Sequence, residues 1–283
     1  MKQTEITYPT PSQPRQIRLD SIARCNASCL SCHRFLNKRS GEMSAELITQ
    51  ILDDVSRWET PLEEIIPVNY GEFFLRKDWP WILATIANKL PKTAIVIPTN
   101  GSLLDETAVK IVCQIPTVRI INFSVNAYFE DTYQAFTGLP PENIQQIRKA
   151  VCLLRILRPD IGVRVSYVFD PIFATDLERD LFKNYWVGFA EVWIIPAASA
   201  DRPDKQVAMP VKIPCRSIFS DFVIGFDGKL SSCCFDSGFT LDLSEYSRDA
   251  KQDWHNAKIT KLRELHNQHK RETIPICSRC TFG

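Results

Sequence analysis

The sequence predicts an α/β fold: a partial (β/α)6 TIM barrel followed by a small β-hairpin-plus-helix auxiliary domain. Three observations predict it. Six short apolar runs alternate with amphipathic stretches over residues 16–197. The runs are apolar enough for a parallel sheet covered on both faces. The alternation then stops after Pro196, where a polar stretch, 198–214, leads to a hairpin signal.

The elements follow in order. A polar, proline-rich arm covers 1–15. Gln16-Ile17-Arg18-Leu19-Asp20-Ser21-Ile22 alternates as a strand does. Ser44 caps a helix with Leu47, Ile48, Ile51, Leu52 and Val55 on one face. Glu64 to Tyr70 reads as a buried strand, and Trp79 to Leu90 as a helix. Ala94-Ile95-Val96-Ile97 is a strand that ends in the turn Thr99-Asn100-Gly101. A helix over Leu104 to Cys113 and a strand over Val118 to Val125 come next. Pro141 opens a helix through Leu157. Val163 to Phe169 is a strand, Leu177 to Tyr185 a helix and Ala190 to Ile195 the sixth strand. Six units are fewer than a closed eightfold barrel needs, so the barrel is read as partial. Right-handed crossovers then put its working end at the carboxyl ends of the strands. Beyond the linker, Asp221 to Phe226 and Lys229 to Cys233 flank Asp227-Gly228, a tight-turn pair. A helix is read from Trp254 to Gln268, and residues 215–283 are taken as the auxiliary domain.

Composition narrows the function. The chain has 283 residues and a net charge of +1, with 34 basic against 33 acidic side chains. That balance offers no field for nucleic acid or an anionic membrane, so neither is expected as a partner. No apolar run is long enough to span a bilayer, and the N-terminus lacks a signal-peptide core. A cytoplasmic location is expected. Ten cysteines in a reducing compartment point to metal or catalysis rather than disulfides.

Three of them are Cys25, Cys29 and Cys32, just past the first strand. Three thiolates on a short loop can hold three irons of a [4Fe–4S] cube and leave the fourth free. Zinc would want a fourth protein ligand, which the adjacent His33 is poorly placed to supply. The blander alternative is three buried cysteines or half a zinc site.

Here the chain resembles the radical S-adenosylmethionine (SAM) superfamily. The resemblance rests on the three cysteines after strand one of a six-unit barrel. Tyr70-Gly71-Glu72-Phe73 stands where that family carries Gly-Gly-Glu-Pro, and Thr99-Asn100-Gly101 ends the third strand. The first Gly and the Pro are missing, and Ser31 replaces the usual aromatic before the third cysteine. The resemblance implies that SAM chelates the unique iron. Reductive cleavage to a 5′-deoxyadenosyl radical and hydrogen abstraction from a substrate carbon follow. It also implies an electron donor of the flavodoxin or ferredoxin type. Tyr70, Gly71, Glu72, Thr99 and Asn100 are then SAM contacts. So are Ser124 and Asn126 on one face of the fourth strand, and Arg164 and Ser166 on one face of the fifth. Arg164 meets either the SAM carboxylate or a scaffold acid such as Asp170 or Glu72.

Cys215, 17 residues, Cys233, 43 residues, Cys277, two residues and Cys280 form a second set. Spacing alone leaves zinc and a second [4Fe–4S] cluster both open. The Gly228-x-x-x-x-Cys233 hairpin, the following helix and the late Cys-x-x-Cys resemble the shortened SPASM, or twitch, domain. That resemblance favours one auxiliary [4Fe–4S] cluster, two clusters in all, and an electron passed to it from the substrate radical. Cys234 faces away from Cys233 and is a candidate hydrogen-atom donor, with packing as the alternative. Cys113 and Cys152 are read as buried apolar residues, and His255, His266 and His269 as solvated. The expected substrate is a ribosomally synthesised peptide undergoing crosslinking, epimerisation or backbone rearrangement, with a separate leader-peptide-binding protein as a candidate partner. A small molecule such as an aminocyclitol or sugar is the alternative. A non-catalytic zinc-binding interaction protein is the rival from another class.

Overall fold

The computed structural model describes residues 6–36, 39–169, 174–196 and 213–282. Most of the 198–214 linker therefore lies outside the described residues, as does Asp170.

Six strands run parallel: β1 (Gln16–Leu19), β2 (Glu64–Ile66), β3 (Ala94–Thr99), β4 (Val118–Ser124), β5 (Gly162–Phe169) and β6 (Glu191–Pro196). A hairpin of β7 (Asp221–Ile224) and β8 (Leu230–Ser231) completes the sheet. The order is β6-β5-β4-β3-β2-β1-β7-β8, so the sheet is open rather than closed on itself. The hairpin is not a separate layer. Strand β7 pairs in parallel with β1, Gln16 opposite Asp221 and Leu19 opposite Ile224. The turn comes where Asp227-Gly228 was expected, with Gly228 at φ 82°.

Period-two alternation sends Ile17, Ile65, Ile97, Ile121, Val165 and Phe222 to the helix-covered face, all fully buried. The helices are α1 (Ala45–Ser56), α2 (Trp79–Lys89), α3 (Glu106–Cys113), α4 (Glu130–Thr137), α5 (Asn143–Leu157) and α6 (Asp176–Trp186). Then follow α7 (Ser217–Ser220), α8 (Ala250–Trp254) and α9 (Ala257–Asn267). Ser44 caps α1 by accepting from the Leu47 N–H, as its sequence suggests. The other sheet face is less apolar than the sequence implied. Gln16, Arg18, Asn122, Arg164 and Trp193 line a cavity of about 350 Å³ there.

Two elements differ from expectation. The C-terminal helix starts three residues later than read, because Asn256 accepts from the Ile259 N–H and caps α9, and a separate short helix, α8, precedes it. Helix α4 went unread: its N-cap is Phe129, which supplies no capping side chain. Its one clear signal is Gly138 at φ 67° after the Tyr133 and Phe136 pair.

The C-terminal part is docked on the barrel through α1. Buried Asp54 accepts from the Tyr246 hydroxyl at 3.0 Å and the Ala250 N–H at 2.6 Å. The N-terminal arm packs there too: Tyr8 exchanges two hydrogen bonds with Asn267, and the Trp254 indole donates to Pro11 O.

Candidate active site

Because β1 to β6 are parallel, the loops after them share one end of the sheet. The loop after β1 carries Cys25, Cys29 and Cys32, all half-buried. It is fixed from two sides. Ser28 and Leu30 donate their N–H groups to Thr137 O and Phe136 O at the end of α4, at 2.7 and 2.9 Å. On the other side, Arg76 donates from one nitrogen to Ser21 O at 2.6 Å and Met43 O at 2.9 Å. Burial pushes the Cys29 thiol up to about 12, and Cys32 and Cys25 push it the same way. Thiols that share one short loop ionise together more readily when a cation shares their charge.

The turns after β2 and β3 close on that loop. A Cβ on Gly71 would stand 1.9 Å from Ile22 O, so only glycine allows the β2 turn to lie against the cysteine loop. Glu72, 1% exposed, accepts from Thr99 Oγ1 at 2.8 Å, Asn100 N–H at 2.7 Å and Phe74 N–H at 3.2 Å. Burial nevertheless raises its pKa. Its carboxylate thus ties the β2 turn to the β3 turn. Asn100 donates to Asn26 Oδ1 at 2.9 Å, and its Nδ2 lies 3.8 Å from Cys25 Sγ. Asn26 sits inside the cysteine loop, and sequence reasoning passed over it. Asp20, at the end of β1, is 3% exposed, and burial raises its pKa to about 6.

Of the residues placed on β4 and β5, Ser124 and Ser166 lie directly opposite each other. Asn126 follows at φ 62°, and its Oδ1 accepts from the Val168 N–H at 2.8 Å. These three stand at the same end as the cysteine loop. Arg164 does not. It lies two residues nearer the start of β5, where Glu191 is its register partner and accepts from Nε at 2.7 Å. Its guanidinium also stacks over Trp193, 4.6 Å from the ring centroid. The carboxylate that compensates Arg164 is therefore Glu191, a reading that corrects both alternatives drawn from the sequence.

Cys215, Cys233, Cys277 and Cys280 line one pocket with Phe235, Arg271 and Phe282. The four come from the chain before α7, the end of β8 and a tight C-terminal turn. Among the described residues no three His, Cys, Asp or Glu side chains converge as a single-ion site would require. His266 also reaches this pocket, and it corrects the expectation of a solvated histidine. It is fully buried, and burial lowers its pKa to about 4. The Cys215 N–H donates to its Nδ1 at 3.1 Å, and its Nε2 lies 3.6 Å from Cys277 Sγ. The spacing Ile259, Leu262, His266 puts it on the buried face of α9, a signal that was present in the sequence.

Cys234, next to Cys233, is half-buried. Burial raises its pKa to about 11, while Arg18 pulls it down and Asp221 pushes it up. The thiol thus lies near the Arg18–Asp221 ion pair, and Arg18 lines the inner cavity. Cys113 is half-buried and Cys152 exposed, so neither is the core residue expected.

Comparison with known proteins decides the family. The radical SAM superfamily profile matches residues 20–172, more than half of the chain. The chain belongs to the radical SAM superfamily. The profile of the SPASM iron–sulfur cluster-binding domain matches residues 215–281. Among curated proteins, the probable GTP 3′,8-cyclase of Methanosarcina mazei is 27% identical over 141 residues. That match covers 48% of this chain and 40% of the relative, so the chain spans well under two thirds of its length. The M. acetivorans protein of the same name matches equally. Among solved structures, BtrN in complex with AdoMet and 2-DOIA aligns with a TM-score of 0.67 at 14% identity, over 98% of this chain and 94% of that one. Native anSMEcpe with bound AdoMet and Kp18Cys peptide gives 0.69 at 14% identity, over 89% and 83%. Streptococcus suis SuiB bound to precursor peptide SuiA gives 0.62 at 13% identity, over 96% and 70%. These likenesses show a radical SAM partial barrel followed by a C-terminal domain.

The chain is therefore a radical SAM enzyme. Its first domain is of the kind that binds SAM and a [4Fe–4S] cluster, and its second is of the kind that binds auxiliary iron–sulfur clusters. The residues present fit both groups. A pinned three-thiol loop beside conformationally fixed turns suits the first, and a four-thiol pocket suits the second. Such an enzyme needs a reductant and a substrate. No helix among the described residues is long and apolar enough to cross a membrane.

Proposed function

We propose that Cys25, Cys29 and Cys32 hold the SAM-binding cluster and that Cys215, Cys233, Cys277 and Cys280 hold one auxiliary [4Fe–4S] cluster. The observation that carries this reading is the meeting of the cysteine loop with the 70–72 and 99–101 turns at one end of the sheet. When bound and reduced, the first cluster with SAM supplies a 5′-deoxyadenosyl radical that takes hydrogen from a substrate carbon. The chain's own residues bind and orient. Gly71 and Tyr70 would present backbone to the SAM amino group. Glu72, through Thr99 and Asn100, holds that backbone still. Ser124, Asn126 and Ser166 supply polar contacts from β4 and β5. Cys234 is the candidate hydrogen-atom donor. Residues 16–197 form the SAM domain and 215–283 the auxiliary domain, joined by 198–214.

The substrate is a ribosomally made peptide that is crosslinked, epimerised or rearranged. Peptide-bound structures of anSMEcpe and SuiB among the similar folds support this. A flavodoxin- or ferredoxin-type protein supplies electrons in the cytoplasm. A second reading, a small-molecule dehydrogenase, is favoured by the nearly end-to-end alignment with BtrN.

Anaerobic reconstitution tests the proposal. About eight irons per chain are expected from two four-iron clusters, with 5′-deoxyadenosine formed from SAM and dithionite. Replacing Cys25, Cys29 and Cys32 by Ala abolishes that product. Zinc at the C-terminal cysteines with no SAM cleavage overturns the reading.

A further inference from the structure

Arg271 is 2% exposed, in the wall of the four-cysteine pocket. Two of its nitrogens are occupied by neutral carbonyls: Nη1 donates to Ile213 O and Nη2 to Phe282 O, both at 2.9 Å. Its Nε has no hydrogen-bond partner. No carboxylate lies within ion-pair distance of it among the described residues. A buried guanidinium without an anion is costly, and proteins tolerate one when something negative shares the site. Among the described residues, the groups in this pocket that could carry that charge are the cysteine sulfurs.

His266 adds a second donor. Its Nδ1 accepts from a backbone N–H, so the ring's proton is on Nε2. That N–H then points at Cys277 Sγ, 3.6 Å away. The pocket therefore offers its sulfurs one full positive charge and one fixed N–H, from residues six and eleven positions before Cys277.

We propose that Arg271 is the built-in counter-ion of the auxiliary cluster and, with the His266 N–H, sets its reduction potential. This rests on the four cysteines holding an iron–sulfur cluster, as proposed above. Four thiolates leave such a cluster with net negative charge, which grows by one when it is reduced. A buried cation and an N–H···S bond stabilise the reduced form more, and so raise the potential. They act on the cluster and not on the substrate, so both are positioning residues. The consequence is directional: the auxiliary site is built to receive an electron, as a one-electron oxidation of a substrate radical would require.

The test is an EPR-monitored potentiometric titration of the full-length chain. Cys25, Cys29 and Cys32 are replaced by Ala, so that one cluster titrates. Arg271→Gln keeps hydrogen-bond donors but removes the charge. It is expected to make the reduced cluster at least tenfold less stable, a fall of ~59 mV for one electron. Arg271→Lys keeps the charge and is expected to stay near the parent potential. His266→Phe is expected to lower it by a smaller step. If Arg271→Gln assembles no cluster while Arg271→Lys does, the need for the charge is upheld. Equal potentials in parent and Arg271→Gln overturn the proposal, as does loss of the cluster in both Arg271 variants. Absence of iron in the parent chain is a different failure: it removes the cluster reading itself.

Discussion

Replacing Gly71 by Ala should injure the SAM site and the fold together. The new Cβ would stand 1.9 Å from Ile22 O, 2.8 Å from Ile22 C and 2.9 Å from Arg24 O, whereas real Cβ contacts essentially never fall under 3.0 Å. Relief requires a movement of more than 1 Å, which is 3.0 less 1.9. Every atom in the way is backbone, so no rotamer change absorbs it. Those carbonyls lie just before Cys25 in the chain, so the displaced segment leads straight into the first proposed cluster ligand. Overpacking of this kind costs roughly 1–3 kcal/mol, and a rigid backbone contact belongs at the upper end. At about 2–4 °C per kcal/mol for a chain of this size, melting should fall by roughly 6–12 °C. A misplacement of about 1 Å at a reacting centre can cost on the order of 100-fold in rate. The assay is differential scanning fluorimetry beside 5′-deoxyadenosine formation in a variant with parental iron content. Melting within about 2 °C of the parent, and cleavage within about threefold, would refute the claim that the Gly71 contact holds the cysteine loop.

Three further outcomes are expected. The raised pKa of Asp20 means the fold favours its protonated form, so its contribution to stability is present at low pH. That contribution is lost as pH rises through the window from 3.8 to about 6. Asp20→Asn should therefore be more stable than the parent at pH 7.5, by ~3 kcal/mol in urea unfolding, with the gap closing toward pH 4; a constant gap would contradict this. Arg164→Met should leave SAM affinity within about threefold, because Glu191 rather than a ligand compensates the guanidinium, and a tenfold loss measured by equilibrium dialysis would restore Arg164 to the SAM site. Cys234→Ala should spare 5′-deoxyadenosine formation yet change the product or its stereochemistry, and an unchanged product by mass spectrometry and chiral analysis would dismiss hydrogen donation.

The legible parts of this molecule are those that local chemistry specifies. Apolar runs of four to eight residues marked each barrel strand, and caps such as Ser44 marked helix starts. Clustered cysteines marked both candidate metal sites, because thiol spacing along the chain is a local signal. What stayed hidden was set by partners far away in sequence. Nothing within the β5 stretch says that Arg164 will meet Glu191, since that depends on the register of β5 against β6. His266 was misread because polar neighbours masked its place on the buried face of α9. Arg271 looks like any surface cation until the surrounding carbonyls of Ile213 and Phe282 are assembled around it.

The pairing of β1 with β7 has a consequence for biogenesis. Gln16 finds its neighbour Asp221 only after most of the chain has been synthesised. Until then β1 offers the nascent barrel a bare edge, and the cysteine loop that follows it hangs from a strand bonded on one side alone. Contacts so distant in sequence form late and slowly. On the proposed assignment, iron and sulfide meet Cys25, Cys29 and Cys32 on a fully bonded strand only once residues 221–224 have been made, and a chain cut short at the linker would present a half-bonded site.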